Sequence, residues 1–345
     1  MQSLNKMVLS ICIPTYNRAK YLDNCLFSIL NSNFSKNLPF EICISDNNSD
    51  DLTNSIVLKY QSILPIVYSR NEQNIGMAPN FLKVVSMATG QFVWMIGDDD
   101  LIVKNSIGEL FSLFDKYKNV DFFYLNSFHL NKEFLNDFGH PFHTNNLPSQ
   151  MKTFSNYPIS KSLHFIKLID PKISFDFLGG IYLCVFKKTN WNEGLKYLDL
   201  VKASDSRTFS YFENTFPHIK IFANGFKNSL AFYSKECFTV NLHGVREWSN
   251  YYPLIRCIRL PEALFEYKKN GLSSLNYYKY NNQIALDFIP NFLYMFKNKA
   301  STGFDYIHPM RLIFKNMKFI NFYFSVIKYL YYKTFKSVFL QNENK

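Results

Sequence analysis

The apolar positions of the first hundred residues fall into two alternating patterns. Val8–Ile13 is a short run rich in β-branched residues and closed by Pro14, which predicts a buried strand. Ala19–Leu30 places Leu22, Leu26, Ile29 and Leu30 at helical spacing. Phe40–Ser45 predicts a second strand, and Asp46-Asn47-Asn48-Ser49-Asp50 after it a turn. Leu52–Leu64 predicts a helix and Pro65–Ser69 a third strand. Met77–Ala88 predicts a helix with Pro79 in its first turn and Gly90 beyond its end. Gln91–Ile96 predicts a fourth strand that runs into Gly97-Asp98-Asp99-Asp100.

Strands alternating with helices predict an α/β fold: a Rossmann-like, mostly parallel sheet with right-handed crossovers and helices on its faces. Ligands of such sheets sit beyond the carboxyl ends of the strands. Three of those ends carry polar groups: Thr15-Tyr16-Asn17-Arg18, Asp46-Asn47-Asn48 and Asp98-Asp99-Asp100. Further on, Asp121–Phe128 predicts a strand, and 129–172, with Pro, Asn, His and Ser throughout, a long loop or lid. Gly179–Phe186 predicts another strand, Thr208–Phe222 a helix broken near Pro217, and Ser229–Tyr233 a last strand. Beyond about residue 240 helical periodicity takes over, so the expected division is an α/β domain over 1–240 and a helical region over 241–345.

Composition narrows the class. Of 345 residues, 47% are hydrophobic, which supports a real core and excludes global disorder. The 38 basic residues outnumber the 27 acidic ones, a net charge of +11, so the partners include something anionic: nucleic acid, a membrane surface or a phosphorylated substrate. The six cysteines show no CxxC spacing, and Cys12, Cys43 and Cys184 lie in apolar runs, which reads as buried reduced thiols in a cytosolic setting. The run Val8–Ile13 is too short for a signal peptide, and no stretch reaches the ~18 apolar residues of a spanning helix.

Three adjacent carboxylates after a wholly apolar strand cost Coulomb energy unless a cation neutralises them. A hard divalent ion, completed by phosphate oxygens, suits them; a solvated acidic turn or a helix N-cap is the plainer reading. Asp46 suits a carboxylate that accepts hydrogen bonds from a ribose or a base, or else an Asx-turn, and Arg18 suits phosphate or the surface. His129, His140, His143 and His218 have no metal-ligand spacing and read as surface or lid residues. No GxGxxG, P-loop, G-x-S-x-G or HExxH is present, which removes the usual dehydrogenase, NTPase, hydrolase and metalloprotease readings.

Taken in order, Ile13-Pro14-Thr15-Tyr16-Asn17-Arg18, Ile44-Ser45-Asp46-Asn47-Asn48-Ser49-Asp50, Asn74-Ile75-Gly76 with Asn80, and Gly97-Asp98-Asp99-Asp100 resemble the motifs of the family 2 glycosyltransferases. The resemblance covers residues 8–104. It implies a GT-A fold, an inverting single displacement, a nucleotide-sugar donor and a Mg²⁺ or Mn²⁺ ion. By that likeness Pro14, Thr15 and Asp46 hold the base and ribose. Tyr16, Asn17, Arg18, Asn47, Asn74, Gly76 and Asp98 complete the donor site, and Asp98, Asp99 and Asp100 face the metal and diphosphate. The family's usual Asp-x-Asp-Asp has Gly97 at its first position here, and Pro79 stands where many members have arginine. The Gln-x-x-Arg-Trp of processive synthases is absent, for Arg246-Glu247-Trp248 does not match it, so one sugar per encounter is expected. The family's general base lies about a dozen residues before a glycine; counting back from Gly225 implies Glu213, with Asp205 next. Thr215-Phe216-Pro217-His218 after the strand Gly180–Phe186 resembles the branch containing abequosyltransferases.

From Arg311 to Lys336 the chain has six basic residues and no acidic one. On a continuous helix Arg311, Lys315, Lys318, Lys333 and Lys336 share roughly a 60° arc, with Lys328 off it. With the interleaved aromatic and aliphatic residues, this predicts a helix in an anionic membrane interface on the cytoplasmic side, near a lipid-linked or glycan acceptor. The alternative is a helix packed on the catalytic domain; nucleic-acid binding has no accompanying motif. Two other functions remain open: a nucleotidyltransferase, which should carry a glycine-rich phosphate loop after the first strand, and a non-catalytic membrane-bound scaffold.

Overall fold

The computed structural model describes residues 7–32, 37–245 and 247–342, without the side chains of residues 332 and 334–342. The opening alternation is realised as β1 Leu9–Thr15, α1 Ala19–Leu30, β2 Phe40–Asp46, α2 Thr53–Gln61, β3 Ile66–Arg70, α3 Met77–Met87 and β4 Phe92–Met95. β1, β2 and β4 are buried along their whole length, which is why they read as continuous apolar runs instead of alternating ones. β1 pairs in parallel with β2 and β4, and β2 with β3, giving the spatial order 3-2-1-4.

The rest of the sheet is built differently. β5 Leu101–Ile102, β6 Phe122–Asn131, β7 Lys152–Thr153, β8 Lys161–His164, β9 Cys184–Lys187 and β10 Leu230–His243 extend the order to 3-2-1-4-9-6-10-5, with β7 on β6 and β8 on β10. β9 is antiparallel to both β4 and β6, so the parallel character is interrupted at the middle of the sheet and resumes between β6 and β10. The stretch expected to be a long lid is tied to the sheet at two points by β7 and β8. Among the helices not anticipated is α4 Ser106–Lys116, whose Ile107, Leu110, Phe111 and Phe114 have the helical spacing that would have disclosed it.

Two hydrophobic cores sandwich the sheet. One lies under α1, α2 and α4 and includes Leu22, Leu26, Val57 and Leu110. The other lies under α3, α5 Lys188–Leu195 and α8 Pro217–Gly225 and continues without a break into the C-terminal helices through Leu254, Leu264, Tyr267 and Phe288. Between α5 and α8 stand the short α6 Leu200–Ala203 and α7 Phe212–Thr215; Pro217 at the first position of α8 breaks the helix where the sequence indicated.

The C-terminal part comprises α9 Tyr252–Leu254, which passes through one wider turn into α10 Leu260–Lys269, then α11 Ser274–Ala285, α12 Phe288–Lys297, α13 Lys299–Thr302, α14 Pro309–Asn316 and α15 Ile320–Asn342. The basic tail is therefore two helices and not one. The turn between α14 and α15 breaks the single arc of charge, and the Lys336 side chain lies outside the described residues. One face of α15 packs: Phe322 and Ser325 are buried, and Lys328 pairs with Asp287 at 2.9 Å. The other face exposes Phe324, Ile327 and Leu330.

Candidate functional site

Parallel register sets the site's first contacts. Thr15 at the end of β1 lies opposite Asp46 at the end of β2, and both strands point into the same loops. Beyond β4 the chain turns tightly, with the Asp100 amide donating to the Gly97 carbonyl at 3.2 Å, and this turn presents the three aspartates to Thr15 and Arg18. The Thr15 hydroxyl donates to Asp98 Oδ2 at 2.8 Å. Arg18 Nε lies 3.2 Å from Asp98 Oδ1, and its Nη2 donates to Asp99 Oδ2 at 2.9 Å. Asp100 is spent on the turn itself: its Oδ2 accepts the Gly97 amide at 2.7 Å and its Oδ1 accepts Asn241 Nδ2 at 2.9 Å.

Burial pushes the Asp98 carboxyl up to about 7, with the Asp99 and Asp100 charges adding to the rise and Arg18 and the Thr15 hydroxyl opposing it. Asp98 and Asp99 thus share one guanidinium, with Asp100 beside them in the same turn at the head of a cleft. The donor set fits a divalent ion that takes one or two carboxylates and fills its shell with phosphate oxygens and water. It does not fit an all-protein cage, for among the described residues no group of three or more His, Cys, Asp or Glu is arranged as one. Asp98 and Asp99 are the pair available to it, and Asp100 belongs to the scaffold.

A cleft of about 1120 Å³ opens from this turn. Pro14, Thr15, Tyr16, Arg18, Asn47, Asn74 and Gly76 line one half of it with the aspartates. An amide network holds that half rigid. Asn47 Nδ2 donates to Asn74 Oδ1 at 2.8 Å, and Asn47 Oδ1 accepts from Asn71 Nδ2 and the Ile75 amide, each at 2.9 Å. Gly76 begins α3 at φ 92°, a conformation only glycine adopts without strain.

Two residues expected to touch the donor lie off the cleft wall. Asp46 is fully buried; its Oδ1 accepts the Ser49 amide at 2.8 Å and its Oδ2 the Tyr68 hydroxyl at 2.7 Å, so it is the Asx-turn that shapes the β2 loop. Asn17, at φ 53°, accepts the Asp50 amide at 2.9 Å and pins the β1 loop to the β2 loop.

The other half of the cleft is formed by residues from β9's approach, the loop before α7 and the start of the helical region. Glu213 is not on its wall. It is a buried residue of α7 itself, with Lys220 Nζ at 3.5 Å, and Lys220 also bonds Glu266, so Glu213 belongs to an ion cluster off the cleft wall. Asp205 does line the cleft, but Arg207 engages it through Nε at 3.0 Å and Nη2 at 2.9 Å, with the Ser210 hydroxyl at 3.0 Å. The Arg207 contacts hold that carboxyl well below the usual carboxylate range, which makes it a weak proton acceptor. His218 is not a surface or lid residue: it is buried in the cleft wall, its Nε2 lies 3.2 Å from the carbonyls of both Leu178 and Gly179, and burial lowers its pKa to about 4.

Those two carbonyls belong to a segment where, among the described residues, two successive non-glycine residues have positive φ. Phe177 and Leu178 both take left-handed backbone conformations, φ 52° and 69°, which cost bulky residues ~1–3 kcal/mol each. The strain is held by His218, by the Tyr267 hydroxyl donating to the Phe177 carbonyl at 3.1 Å, and by the Gly180 amide donating to Asp176 Oδ2 at 2.7 Å. Asp176 lines the cleft between these locks. In the sequence it lies between Ser174 and Gly179-Gly180, a pattern indistinguishable from an ordinary turn.

Residues 10–164 match the model of glycosyl transferase family 2. Among curated relatives, the abequosyltransferase RfbV of Salmonella typhimurium is 42% identical over 116 residues, 33% of this chain and 34% of that protein. A GalNAc(5)-diNAcBac-PP-undecaprenol beta-1,3-glucosyltransferase of Campylobacter jejuni is 36% identical over 104 residues, 30% of this chain and 33% of that protein. The matched segment thus spans about a third of the length of either relative. Among solved structures, residues 1–349 of TarS from S. aureus in complex with UDP-GlcNAc superpose with a TM-score of 0.55 at 18% identity, covering 83% of this chain and 72% of that one. The mannosyltransferase PcManGT of Pyrobaculum calidifontis, in complex with GDP-Man and Mn²⁺, gives 0.50 at 14% identity, with 85% and 73% covered. The likeness to these structures shows the GT-A fold.

Proposed function

We propose that this chain, whose residues 10–164 form a family 2 glycosyltransferase domain, transfers one sugar with inversion from a nucleoside-diphosphate donor to a glycan or lipid-linked acceptor. The observation that carries the reading is the buried aspartate turn, carrying more negative charge than Arg18 neutralises, at the head of a cleft large enough for two substrates. The undecaprenol-linked glycan on which the Campylobacter relative acts supports a lipid-linked glycan as the acceptor. A divalent ion, Mg²⁺ or Mn²⁺, held by Asp98 and Asp99 would supply charge neutralisation for the departing diphosphate. Tyr16, exposed at the rim, offers its ring to the base; Thr15, Asn47, Asn74 and the Gly76 loop bound the ribose and phosphates; Arg18 remains within reach of the diphosphate. The nucleotidyltransferase reading loses ground because the loop after β1, Thr15-Tyr16-Asn17-Arg18, has no glycine to cradle a triphosphate. A scaffold would have no use for a buried turn of three aspartates held against Arg18.

The test is a thermal-shift screen of UDP, GDP, CDP and dTDP with and without Mn²⁺. One nucleotide is expected to raise the unfolding midpoint only when the ion is present, by the several degrees that ~2.7 kcal/mol of linkage produces at a hundredfold excess over Kd. If no nucleotide shifts the midpoint at millimolar concentration, the donor reading fails.

No helix among the described residues is long and apolar enough to cross a membrane. The outward faces of α14 and α15 support peripheral attachment to the cytoplasmic leaflet: Phe314, Ile320, Phe324, Ile327 and Leu330 are each more than half exposed, and Arg311, Lys315 and Lys318 stand among them. Each cation near an anionic surface contributes about 1 kcal/mol, screened as salt rises. The protein is expected to co-sediment with phosphatidylserine-containing liposomes at low salt and to be released at high salt. The triple variant Phe314→Ser, Ile327→Ser, Leu330→Ser changes exposed positions only and should stay in the supernatant with its midpoint unaltered. Wild-type protein that ignores anionic liposomes at low salt would rule out the attachment.

A further inference from the structure

The reaction needs a proton acceptor on the acceptor side of the cleft, and the two acids indicated by the sequence do not supply one. Glu213 is off the wall in an ion pair with Lys220, and Asp205 is clamped by Arg207. We propose that Asp176 is the catalytic residue that takes the proton from the acceptor hydroxyl; this rests on the glycosyl-transfer reading above.

Placement is the first argument. β9 runs antiparallel to β4 with Trp94 opposite Val185, so the residues entering β9 pass the end of β4, where the aspartate turn begins. The Trp94 indole N–H fixes that approach by donating to the Tyr182 carbonyl at 2.9 Å. The loop holding Asp176 comes immediately before, and Asp176 and Asp98 line the same cleft from different elements.

Preorganisation is the second argument. Two successive bulky residues in left-handed conformations, Phe177 and Leu178, aim the loop; two separate elements hold it, through His218 of α8 and Tyr267 of α10, and the loop's own Gly180 amide closes it on Asp176. Strain of this kind persists only where the surroundings over-determine it, and it clusters at functional sites. The glycine pair makes the close approach possible, for a Cβ at Gly180 would lie 3.1 Å from Asp176 Oδ2 and 3.0 Å from the Tyr182 ring.

The chemistry of the carboxylate is the third argument. Its oxygens accept from the Ser174 hydroxyl and from the backbone amides of Leu178, Gly179 and Gly180, which orient the group toward the cleft it lines. Among the described residues no arginine or lysine forms an ion pair with it, in contrast to Asp205 and Glu213, and burial raises its proton affinity above that of an ordinary aspartate. In the transfer step the acceptor oxygen bonds to the anomeric carbon while its proton passes to an Asp176 oxygen. The bond from that carbon to the diphosphate breaks, and its electron pair leaves with the nucleoside diphosphate.

The experiment compares wild type with Asp176→Asn and Asp176→Glu on a panel of UDP-, GDP-, CDP- and dTDP-hexoses. It measures nucleoside diphosphate release by transfer or hydrolysis, and donor affinity by calorimetry. Asp176→Asn is expected to lower turnover by about 10²–10⁴-fold while donor Kd stays within about threefold and the unfolding midpoint is kept, with Asp176→Glu recovering part of the loss. Turnover within about threefold of wild type overturns the role, as does a loss of turnover accompanied by an equal loss of donor affinity or of the folded state. A wild-type protein that neither binds nor consumes any of the donors overturns the glycosyl-transfer reading itself, and the role with it.

Discussion

Replacing Asp98 and Asp99 together by asparagine is expected to remove the ion-dependent part of nucleoside diphosphate binding, a weakening of at least ~100-fold or about 2.7 kcal/mol. Both carboxylates sit at the head of the cleft and share Arg18, and they are the ones not committed to the turn. Without them the ion loses the two carboxylates that face Arg18, and the Asp100 carboxylate that remains is tied to the Gly97 amide and Asn241. The fold should survive. An asparagine at position 98 can still accept the Thr15 hydroxyl, and it relieves the cost that burial imposes on the Asp98 carboxylate. The unfolding midpoint without ligand should therefore hold or rise while the shift on adding nucleotide and Mn²⁺ disappears. Arg18, freed from its partners, can sustain weak binding that no longer responds to the ion. Asp100→Asn is the contrast: its carboxylate holds the Gly97 amide and Asn241, so its loss should appear first in stability. Calorimetric titration with and without Mn²⁺ decides the matter, and an unchanged ion response in the double variant would falsify the assignment.

Gly225→Ala is expected to destabilise the protein by at least about 3 kcal/mol, the severe end of overpacking. In an isolated helix the same change would stabilise by roughly 1 kcal/mol, so the two arguments predict opposite signs. Geometry decides between them. A Cβ on Gly225 would come within 2.1 Å of the Asn190 carbonyl oxygen, and one on Gly194 within 2.1 Å of the Ile221 carbonyl oxygen. The obstacle in each case is backbone, which cannot swing aside as a flexible side chain can. The two glycines are what let α5 and α8 cross in direct contact above the sheet. Because α8 carries His218 against the Leu178 and Gly179 carbonyls, pushing the helices apart should also loosen the cleft wall. Chemical denaturation of Gly225→Ala and Gly194→Ala against wild type tests this; a midpoint unchanged in either variant would show that the helices can part without cost.

Much of the fold was legible because it depends on local pattern. Continuous apolar runs disclosed β1, β2 and β4, and periodic leucines gave α1 its limits at Ala19 and Leu30. The donor half of the cleft was legible for a related reason. Its residues follow directly after predicted strands, and strand ends of a parallel sheet converge. Thr15, Arg18 and Asp98 are far apart in sequence, yet they meet because β1 and β4 are neighbours. Asp46 shows the limit of that reasoning. Position at a strand end told where it is, but only the Tyr68 hydroxyl and the Ser49 amide reveal that its oxygens are already taken.

The sequence by itself determined the alternation of strand and helix, the parallel half of the sheet, the acidic turn and the free thiols, since each rests on residues near one another along the chain. The tertiary structure alone decided the rest. Whether a carboxylate is available to a substrate depends on the cation beside it: Lys220 pairs with Glu213, and Arg207, two residues along, folds back on Asp205. The two helices of the basic tail were separated by the turn after Asn316, and one face of the second was occupied by the core. Asp176 emerged only from long-range locks, a tyrosine about ninety residues away and a histidine about forty, holding a loop in a conformation its own residues disfavour.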